Sequence, residues 1–376
     1  MEIKNDFQAR YIAATLNRRY ATGKLEKLIP VFLRSGLEVY TNKGVASIIE
    51  KIQARNFGVI PSNIDVFTWY NFIYHECILP YQKTMFHTAD IRGITFEGFY
   101  GGVNFAKKTE MARYITKNDH IKAKHAAEFV VECVSKGNNL IQRLSEIYEE
   151  IIVDEVQDLA GEDLDFIEQL MDSSIRVTLI GDSRQATFTT HASTRYKKFK
   201  GINIVKYFEE LKKGSIIDII EWNECRRSNK AICSFADRIF PTLPAATSAM
   251  DIQTGHDGVF IIQESDLEFY ISFLASQKTG LQFLKYDAKT KTAYRTLNFG
   301  ECKGLTFDRT IIFTNNPLTN FIENFTCDAP AKYYVGLTRA RYSVAIIVKA
   351  LPHSTVYKDT ELEFDDKRIT IKEYTC

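Results

Sequence analysis

A run of apolar residues that ends abruptly in acids constrains this chain more than any other stretch. Residues 151–153 are Ile, Ile and Val, and they lead directly into DEVQD at residues 154–158. Such a run predicts a buried strand of a parallel sheet that delivers its acids to the carboxyl edge, where open α/β folds bind ligands. A carboxylate pair there suits a magnesium–nucleotide site, in which Asp154 would hold the metal and Glu155 would orient and deprotonate the attacking water. Solvated acids at a strand end are the alternative, and a motif this short leaves it open.

A second strand is predicted to end beside the first. Residues 175–180 (IRVTLI) are predicted to form another buried strand, which is followed by GDSRQ at residues 181–185, and an amphipathic helix is predicted over residues 163–171. If the two strands are neighbours, Gln185 would lie beside the metal carboxylates and could hold both the attacking water and the γ-phosphate. Phe188 follows three residues later and could meet a base.

Length and charge bound the class of protein. A chain of 376 residues suggests two domains, and 45% hydrophobic with 25% charged residues is a globular composition. The formal net charge is +1, so a nucleic-acid surface would have to be a local basic patch. Residues 195–200 (RYKKFK) interleave basic and aromatic side chains as a single-strand contact would, with a solvated loop as the alternative.

Cysteine spacing and hydropathy indicate the compartment. The seven cysteines are scattered without a CxxC pair, which favours reduced thiols over a disulfide framework or a zinc site. The first residues lack the basic-then-apolar layout of a signal peptide, and no apolar run approaches the ~18 residues of a membrane span. The sequence therefore predicts a soluble, cytoplasmic protein.

The best candidate for a phosphate-binding loop lies at Gly23 and Lys24, and it is a poor one. Such a loop needs a strand followed by GxxxxGK[ST], because backbone N–H groups wrap the phosphates while Lys and a hydroxyl reach phosphate and Mg²⁺. Here Arg18 stands where the first glycine should be, and Leu25 replaces the hydroxyl residue. An ordinary turn before a helix over residues 25–34 is the favoured interpretation.

Two further segments are predicted to be strands, at residues 37–40 and 64–72. The first breaks into the polar turn TNKG, and the second ends in aromatic residues and a hydroxyl. Such strand ends could hold the phosphates and stacked bases of a single strand, although Trp69 could equally be core packing. The residues between about 75 and 145 have the composition of an irregular insertion, and helical periodicity over residues 124–148 leads into the acidic strand.

In the first half of the chain, these stretches resemble the motifs of superfamily 1 helicases of the UvrD/Rep type. DEVQD and GDSRQ look like motifs II and III of that family. Residues 41–44 (TNKG) resemble motif Ia, which is usually TNKAA, and residues 66–72 (VFTWYNF) resemble the element that follows it.

The second half continues the resemblance in the same order. Residues 221–232 (EWNECRRSNKAI) are similar to motif IV, residues 299–308 (FGECKGLTFD) to motif V, and residues 334–341 (YVGLTRAR) to motif VI, which is usually YVALTRAR. In motif V, Thr306 stands where a ribose-binding Glu is usual. The family's motif I has no counterpart beyond Gly23 and Lys24.

The resemblance implies an α/β fold of two RecA-like domains with parallel sheets. The first would span residues 1–210, with a small insertion at about 75–145, and the second residues 211–350, followed by a C-terminal tail at 351–376. It also implies roles for individual residues. The catalytic group would be Asp154 on the metal, with Glu155, Gln185, Arg227 and Arg339. Contacts to the nucleotide would come from Gln8, Gly23, Lys24 and Gly304. Contacts to nucleic acid would come from Thr41, Asn42, Lys43, Thr68, Trp69 and Phe188.

The activity implied is that of a DNA helicase driven by ATP and Mg²⁺. ATP would be hydrolysed in the cleft between the two RecA-like domains, and single-stranded DNA or RNA would be the partner. Because motif I is degenerate, a helicase-fold protein that binds nucleic acid or a partner without turnover is the alternative. In a third interpretation an accessory chain completes the nucleotide site, and a defence or repair protein would be the partner.

Overall fold

The computed structural model describes most of the chain, namely residues 28–32, 49–50, 52–54, 56–98, 106–190, 193, 195–214 and 216–376. Two units of structure meet in sequence between Asp218 and Ile219. The boundary predicted from the sequence, between residues 210 and 211, falls inside a helix over Ile204–Lys213.

The strands of the first unit build a central parallel sheet and a smaller one. In chain order they are β1 (Leu28–Phe32), β2 (Phe67–Thr68), β3 (Gly93–Thr95), β4 (His120–Lys122), β5 (Glu150–Asp154) and β6 (Arg176–Leu179). The central sheet has the order β2–β1–β5–β6, and β3 pairs with β4. β5 is buried at every position between its parallel neighbours β1 and β6. The predicted buried strand β5 and a strand beside it are therefore confirmed, but the burial predicted for that second strand is wrong, because β6 is half-buried, with Arg176 exposed.

Besides the helical residues 49–50 and 52–54, seven α-helices accompany these strands in the described ranges of the first unit. They are α1 (Trp69–Phe72), α2 (Gln82–Met85), α3 (Met111–Tyr114), α4 (Ala126–Ser135), α5 (Leu140–Ile147), α6 (Glu162–Met171) and α7 (Ile204–Lys213). α4 packs against α6, and Phe129 and Phe166 from these helices are fully buried in a core that also contains Ile151 and Val153 of β5. Apolar residues at helical spacing on α6 explain its correct prediction.

Two sequence predictions in this unit were wrong in detail. The helix expected over residues 25–34 is replaced by β1, which pairs with β5 along its whole length. Proline disfavours a strand because it has no backbone N–H, but Pro30 is not one of the two residues of β1 that pair with β2. The strand expected over 64–72 stops at Thr68, whose side chain accepts a hydrogen bond from the backbone N–H of Asn71 at 3.2 Å and so caps α1. The helical periodicity predicted over residues 124–148 is confirmed and belongs to two helices, α4 and α5.

The second unit contains a seven-stranded sheet, with helices on both of its faces, and a separate two-stranded sheet. Its strands are β7 (Glu224–Cys225), β8 (Thr247–Ser248), β9 (Gly258–Gln263), β10 (Leu281–Lys285), β11 (Leu297–Asn298), β12 (Phe307–Phe313), β13 (Ala340–Val348), β14 (Tyr357–Phe364) and β15 (Lys367–Tyr374). The large sheet has the order β11–β10–β12–β13–β9–β15–β14, and β7 pairs with β8. Its helices are α8 (Lys230–Asp237), α9 (Leu267–Ser276), α10 (Asn316–Asn324) and α11 (Pro330–Leu337).

Separate cores lie on the two faces of this sheet. α9 supplies Tyr270 and Leu274 to one of them, whereas α8 and α10 supply Phe235 and Phe321 to the other. The five strands from β11 to β9 are parallel, whereas β14 and β15 form an antiparallel hairpin that joins the edge at β9. This hairpin occupies most of residues 351–376, the segment assigned to a C-terminal tail from sequence. The predicted α/β class, with a mainly parallel sheet in each unit, is confirmed.

A buried carboxylate fastens the helices that lie before β5. Glu128 on α4 is 4% exposed and accepts hydrogen bonds from Arg113 Nε at 2.9 Å and Nη2 at 2.8 Å, while His125 Nδ1 lies 2.9 Å away. Burial acts to raise the pKa of Glu128, but the hydrogen bonds from His125 and Arg113 outweigh it and lower the pKa to about 2. The charged form of Glu128 therefore stabilises the fold.

We expect Glu128→Gln to lower the free energy of unfolding at pH 7 by roughly 1.5–3 kcal/mol, because hydrogen bonds to a charged group are lost. Since the pKa in the folded state lies below the ordinary value of 4.5, this stabilisation is complete above that value and disappears as the pH falls towards 2. Urea unfolding at pH 7 and pH 3 measures both effects. Glu132→Gln on the same helix is the control, because its partner Lys108 is exposed. Equal losses for both variants, or a pH-independent loss for Glu128→Gln, would contradict this account.

Candidate functional site

The acids at the end of β5 are held in two different backbone conformations. Asp154 is the last residue of the strand and is 6% exposed, and its Oδ1 accepts a hydrogen bond from the backbone N–H of Glu155 at 2.7 Å. Glu155 has a φ of 56°, in the left-handed region, and begins the turn Val156–Asp158. A left-handed residue other than glycine is strained, and such strain is concentrated at functional sites. The chain thus turns sharply at the more exposed of the two acids.

Hydrogen bonds connect this acidic edge to the turn that follows β6. Gln157 Nε2 donates to the Glu155 carboxylate, and the Gln157 Oε1 accepts from the backbone N–H of Asp182 at 3.0 Å. Asp182 Oδ2 in turn accepts from Gln185 Nε2 at 2.8 Å. A side chain at Gly181 would place its Cβ 2.5 Å from Gln157 Oε1, so glycine is required for the two turns to meet. The structure therefore joins Glu155 and Gln185 in one network.

Glu155 and Gln185, at the two ends of this network, were predicted from the sequence, whereas Gln157 and Asp182 between them were not. Gln157 is 1% exposed and Asp182 is 8% exposed, so both are committed to hydrogen bonds inside the unit. Both residues stand within the DEVQD and GDSRQ stretches. The signal that could have found them is the presence of a buried amide and a carboxylate directly after neighbouring parallel strands.

The second unit buries two arginines side by side. Arg227 is 1% exposed and Arg339 is fully buried. Arg227 Nη1 donates to the Thr338 carbonyl, while its Nε and Nη2 are buried without a hydrogen-bond partner in the described part of the chain. Arg339 Nε donates to the Val335 carbonyl at 2.6 Å, and its Nη2 to Thr338 Oγ1 at 3.2 Å. Burial, and then the charge of Arg339, lower the pKa of Arg227 well below its ordinary value.

Such an arrangement is suited to an anion. Two like charges removed from water repel each other, and buried donors without acceptors cost free energy. A phosphate oxygen would satisfy both demands at once, because it offers negative charge and several acceptor lone pairs.

Backbone-directed hydrogen bonds hold these arginines together. Ser228 Oγ donates to the Ala340 carbonyl at 2.7 Å, and Asn229 Nδ2 donates to the Tyr342 carbonyl at 2.6 Å. Asn229 also caps α8, since its side-chain oxygen accepts from the backbone N–H of Ile232 at 3.0 Å. The turn that carries Arg227 is therefore fixed to the start of β13, directly after Arg339.

Of the predicted nucleotide contacts, Gly304 is the one whose position is described. It is half-buried, with a φ of 83°, in the turn that leads into β12. The three other predicted contacts lie outside the described residues, namely Gln8, Gly23 and Lys24.

The predicted nucleic-acid contacts are differently placed. Thr68 caps α1, and Phe188 is half-buried in the loop after the Gln185 turn. Trp69 is 1% exposed, and its Nε1 donates to Asp163 Oδ1 at 2.8 Å, so its ring is not presented to a base. The packing alternative considered for Trp69 is thus the one that the structure shows. Outside the described residues lie the predicted contacts Thr41, Asn42 and Lys43.

A comparison with protein families bears on the first unit. Residues 105–194 match the family description "UvrD/REP helicase N-terminal domain". The resemblance to UvrD/Rep-type superfamily 1 helicases is confirmed. The matched segment contains the acidic edge and the Gln185 turn, so the UvrD-like motifs II and III stand on the structural elements described above.

Solved helicase structures from arteriviruses are also similar to this chain. "The structure of PRRSV helicase" is 14% identical, with a TM-score of 0.35, and the match covers 59% of this chain and 42% of that one. Arterivirus nonstructural protein 10 (helicase) is 14% identical, with a TM-score of 0.34, covering 85% and 59%. Its complex with DNA is 14% identical, with a TM-score of 0.37, covering 86% and 54%.

The chain thus spans about half the length of the solved helicases it matches. A search of curated proteins gives no match. Within the ranges that the structure describes, none of the helices combines the length and the apolar character that crossing a membrane requires.

The stretch that resembles motif VI packs closely against Phe299. Gly336 on α11 stands where YVALTRAR has alanine, and a Cβ at this position would lie 2.5 Å from the Phe299 ring. Such an approach forces the ring or the helix to move. Phe299 and Gly336 are therefore complementary.

We expect Gly336→Ala to lower the free energy of unfolding by about 1–3 kcal/mol, as overpacking does, despite the higher helix propensity of alanine. Gly300→Ala is the matched control, because a Cβ there would meet no atom within 4 Å. Denaturant unfolding of both variants measures the difference. Adding Phe299→Leu to Gly336→Ala should recover part of the loss, whereas equal stability of the two alanine variants would contradict the packing argument.

Proposed function

We propose that this protein is a UvrD-like, nucleic-acid-dependent ATPase that acts as a helicase on single-stranded DNA with ATP and Mg²⁺. The observation that carries the proposal is the buried pair Arg227 and Arg339, in which Arg227 leaves two guanidinium nitrogens without a partner in the described residues. Arginines in this state are suited to stabilising the charge that develops on a transferred phosphoryl group.

The acidic edge of the first unit supports the same chemistry. No cluster of three or more His, Cys, Asp or Glu residues fit for a metal occurs in the described ranges. Mg²⁺ does not need one, because it commonly binds through one or two carboxylates together with substrate phosphates and water. Asp154 offers a carboxylate at the end of a buried strand, and bound Mg²⁺ would neutralise charge on the phosphates.

Glu155 and Gln185 are assigned to the attacking water. Glu155 is the more exposed acid, and Gln157 holds its carboxylate in place. A carboxylate so oriented can accept a proton from water, while the Gln185 amide, fixed by Asp182, can orient that water.

We expect Glu155→Gln to reduce DNA-stimulated ATP turnover by roughly 10²–10⁴-fold, because the amide cannot accept the proton. Binding of Mg-ATP should persist, since charge on Asp154 is unchanged. Steady-state phosphate release with and without single-stranded DNA measures the effect. Glu146→Gln, at an exposed position of α5, is the control and should keep wild-type turnover. Turnover that survives Glu155→Gln would contradict the proposal.

A second prediction separates the function of Arg227 from its contribution to stability. We expect Arg227→Met to lower turnover by at least about 10³-fold, as loss of an arginine finger does. Its free energy of unfolding should stay equal or rise, because a buried charge that is repelled by Arg339 is replaced by an apolar chain of similar length.

Arg309→Met provides the contrast for this prediction. Arg309 is also fully buried, but its guanidinium donates to Thr279 Oγ1 at 2.9 Å, Ser343 Oγ at 2.8 Å, Thr254 Oγ1 at 2.7 Å and the His256 carbonyl. We expect this variant to be destabilised by several kcal/mol, since acceptors lose their donors. Urea unfolding compares the two variants, and a stability loss of Arg227→Met as large as that of Arg309→Met would contradict the assignment of Arg227.

The absence of a phosphate loop in the sequence favours one other candidate, a helicase-fold module that binds nucleic acid or a partner without turnover. Arg18 and Leu25 replace the glycine and hydroxyl residue that such a loop requires. Calorimetry with a non-hydrolysable Mg-ATP analogue distinguishes the two. Binding at micromolar concentration supports the ATPase, and no binding up to millimolar concentration supports the module.

A further inference from the structure

A buried carboxylate on α6 joins three segments that are far apart in the sequence. Asp163 is 1% exposed. Its Oδ1 accepts a hydrogen bond from Trp69 Nε1 at 2.8 Å, and its Oδ2 accepts from Thr190 Oγ1 and, at 3.4 Å, from the backbone N–H of Ala160. One side chain thus receives donors from α1, from the turn after the acidic edge and from the loop after Gln185.

The backbone of Thr190 reinforces this junction. Its N–H donates to the Asp158 carbonyl at 2.9 Å, and its carbonyl accepts from Tyr70 Oη at 2.6 Å. Thr190 itself is 1% exposed. The side chain of Thr190 contacts α6, and its backbone contacts α1 and the turn that ends at Asp158.

Each segment carries residues of the proposed site. α1 begins directly after Thr68, and Phe188 lies two residues before Thr190. Both are proposed nucleic-acid contacts. Asp158 closes the turn that begins at Glu155, the proposed base. A displacement of α1 or of the Phe188 loop by a bound strand would therefore act on the acidic edge through the junction.

Packing alone does not require a carboxylate here. Burying an ionised group carries a large desolvation cost unless donors are directed at it, and apolar residues of similar volume would fill the same space. A network of buried polar groups instead fixes one relative placement of the segments that it joins.

We propose that Asp163 is a positioning residue that couples binding of single-stranded nucleic acid at α1 and the Phe188 loop to ATP turnover at the acidic edge. This inference rests on the proposed function. Asp163 lies outside the stretches that resemble the family's motifs, and it would link nucleic-acid binding to ATP turnover. Its partner Thr190 offers a way to break that link by substitution.

The test uses Thr190→Val, which removes the hydroxyl and keeps the shape, with Thr190→Ser as the matched control that keeps the hydroxyl. The chain has two tryptophans, Trp69 and Trp222, so all variants are made in full-length protein with Trp222→Phe, where emission reports on Trp69. Oligo(dT) is the probe. Fluorescence titration, ATP turnover with and without oligo(dT), and thermal unfolding are measured on each variant.

In the Trp222→Phe parent and in Thr190→Ser, we expect oligo(dT) to change Trp69 emission and to stimulate turnover. In Thr190→Val, turnover without DNA should stay within about twofold of the parent, while the stimulation falls at least tenfold and the emission change is lost. Because a merely structural role would lower stability without changing the stimulation ratio, this combination of results identifies coupling.

Thr190→Val with parental stimulation and a parental emission change would overturn the inference. A parent that neither binds oligo(dT) nor hydrolyses ATP would instead overturn the proposed function, and the inference with it. If Thr190→Val does not fold, Asp163→Asn decides, because its amide still accepts from Trp69 but presents N–H groups towards Thr190 and Ala160. Asp163→Asn should lose stimulation, and parental stimulation in this variant would overturn the inference.

Discussion

Burial of charged groups at the edges of parallel sheets is the constraint on which both units depend. A charge withdrawn from water needs directed partners, and where it lacks them a ligand must supply the rest. In the first unit the partners are present: Asp182 receives donors from the Gln185 amide and, at 3.3 Å, from the Arg184 backbone N–H. The second unit instead leaves donors of Arg227 without acceptors in the described residues. Asp182 thus has donors from its own unit, whereas two nitrogens of Arg227 are suited to an anion.

Two buried arginines of the second unit show how this distinction separates structure from function. Burial lowers the pKa of both Arg227 and Arg309. Every nitrogen of the Arg309 guanidinium donates to a hydroxyl or carbonyl oxygen, so this side chain of β12 links β13 to the segments that precede β9 and β10. Arg227 has one such bond and a like-charged neighbour, Arg339. Burial alone would not have told them apart, and the count of satisfied donors does.

The sequence predicted what depends on local pattern and missed what depends on distant pairing. A continuous apolar run identified β5, the strand pattern of residues 175–180 identified β6, and helical spacing identified α6, because those signals are contained in single segments. β1 was mistaken for a helix, since its identity rests on pairing with β5, more than a hundred residues later. Trp69 was predicted as a nucleic-acid contact from the resemblance of residues 66–72, whereas its buried partner Asp163 lies in none of the motif-like stretches. The ends of the site were thus visible in the motifs, and its supports were not.

The left-handed backbone of Glu155 explains how two adjacent acids can have different roles. Successive side chains of a strand point to opposite faces. A straight continuation of β5 would therefore separate the carboxylates of Asp154 and Glu155, but Glu155 would have no hydrogen bond from Gln157. The turn at φ 56° brings Glu155 to the Gln157 amide and lets its backbone N–H donate to Asp154. A left-handed residue of this kind costs on the order of 1–3 kcal/mol, which two hydrogen bonds to charged groups at roughly 1.5–3 kcal/mol each can offset. Because the Gln157 amide also accepts from Asp182, the strain fixes Glu155 relative to Gln185. A glycine at 155 would relieve that strain but remove the carboxylate that Gln157 holds in place.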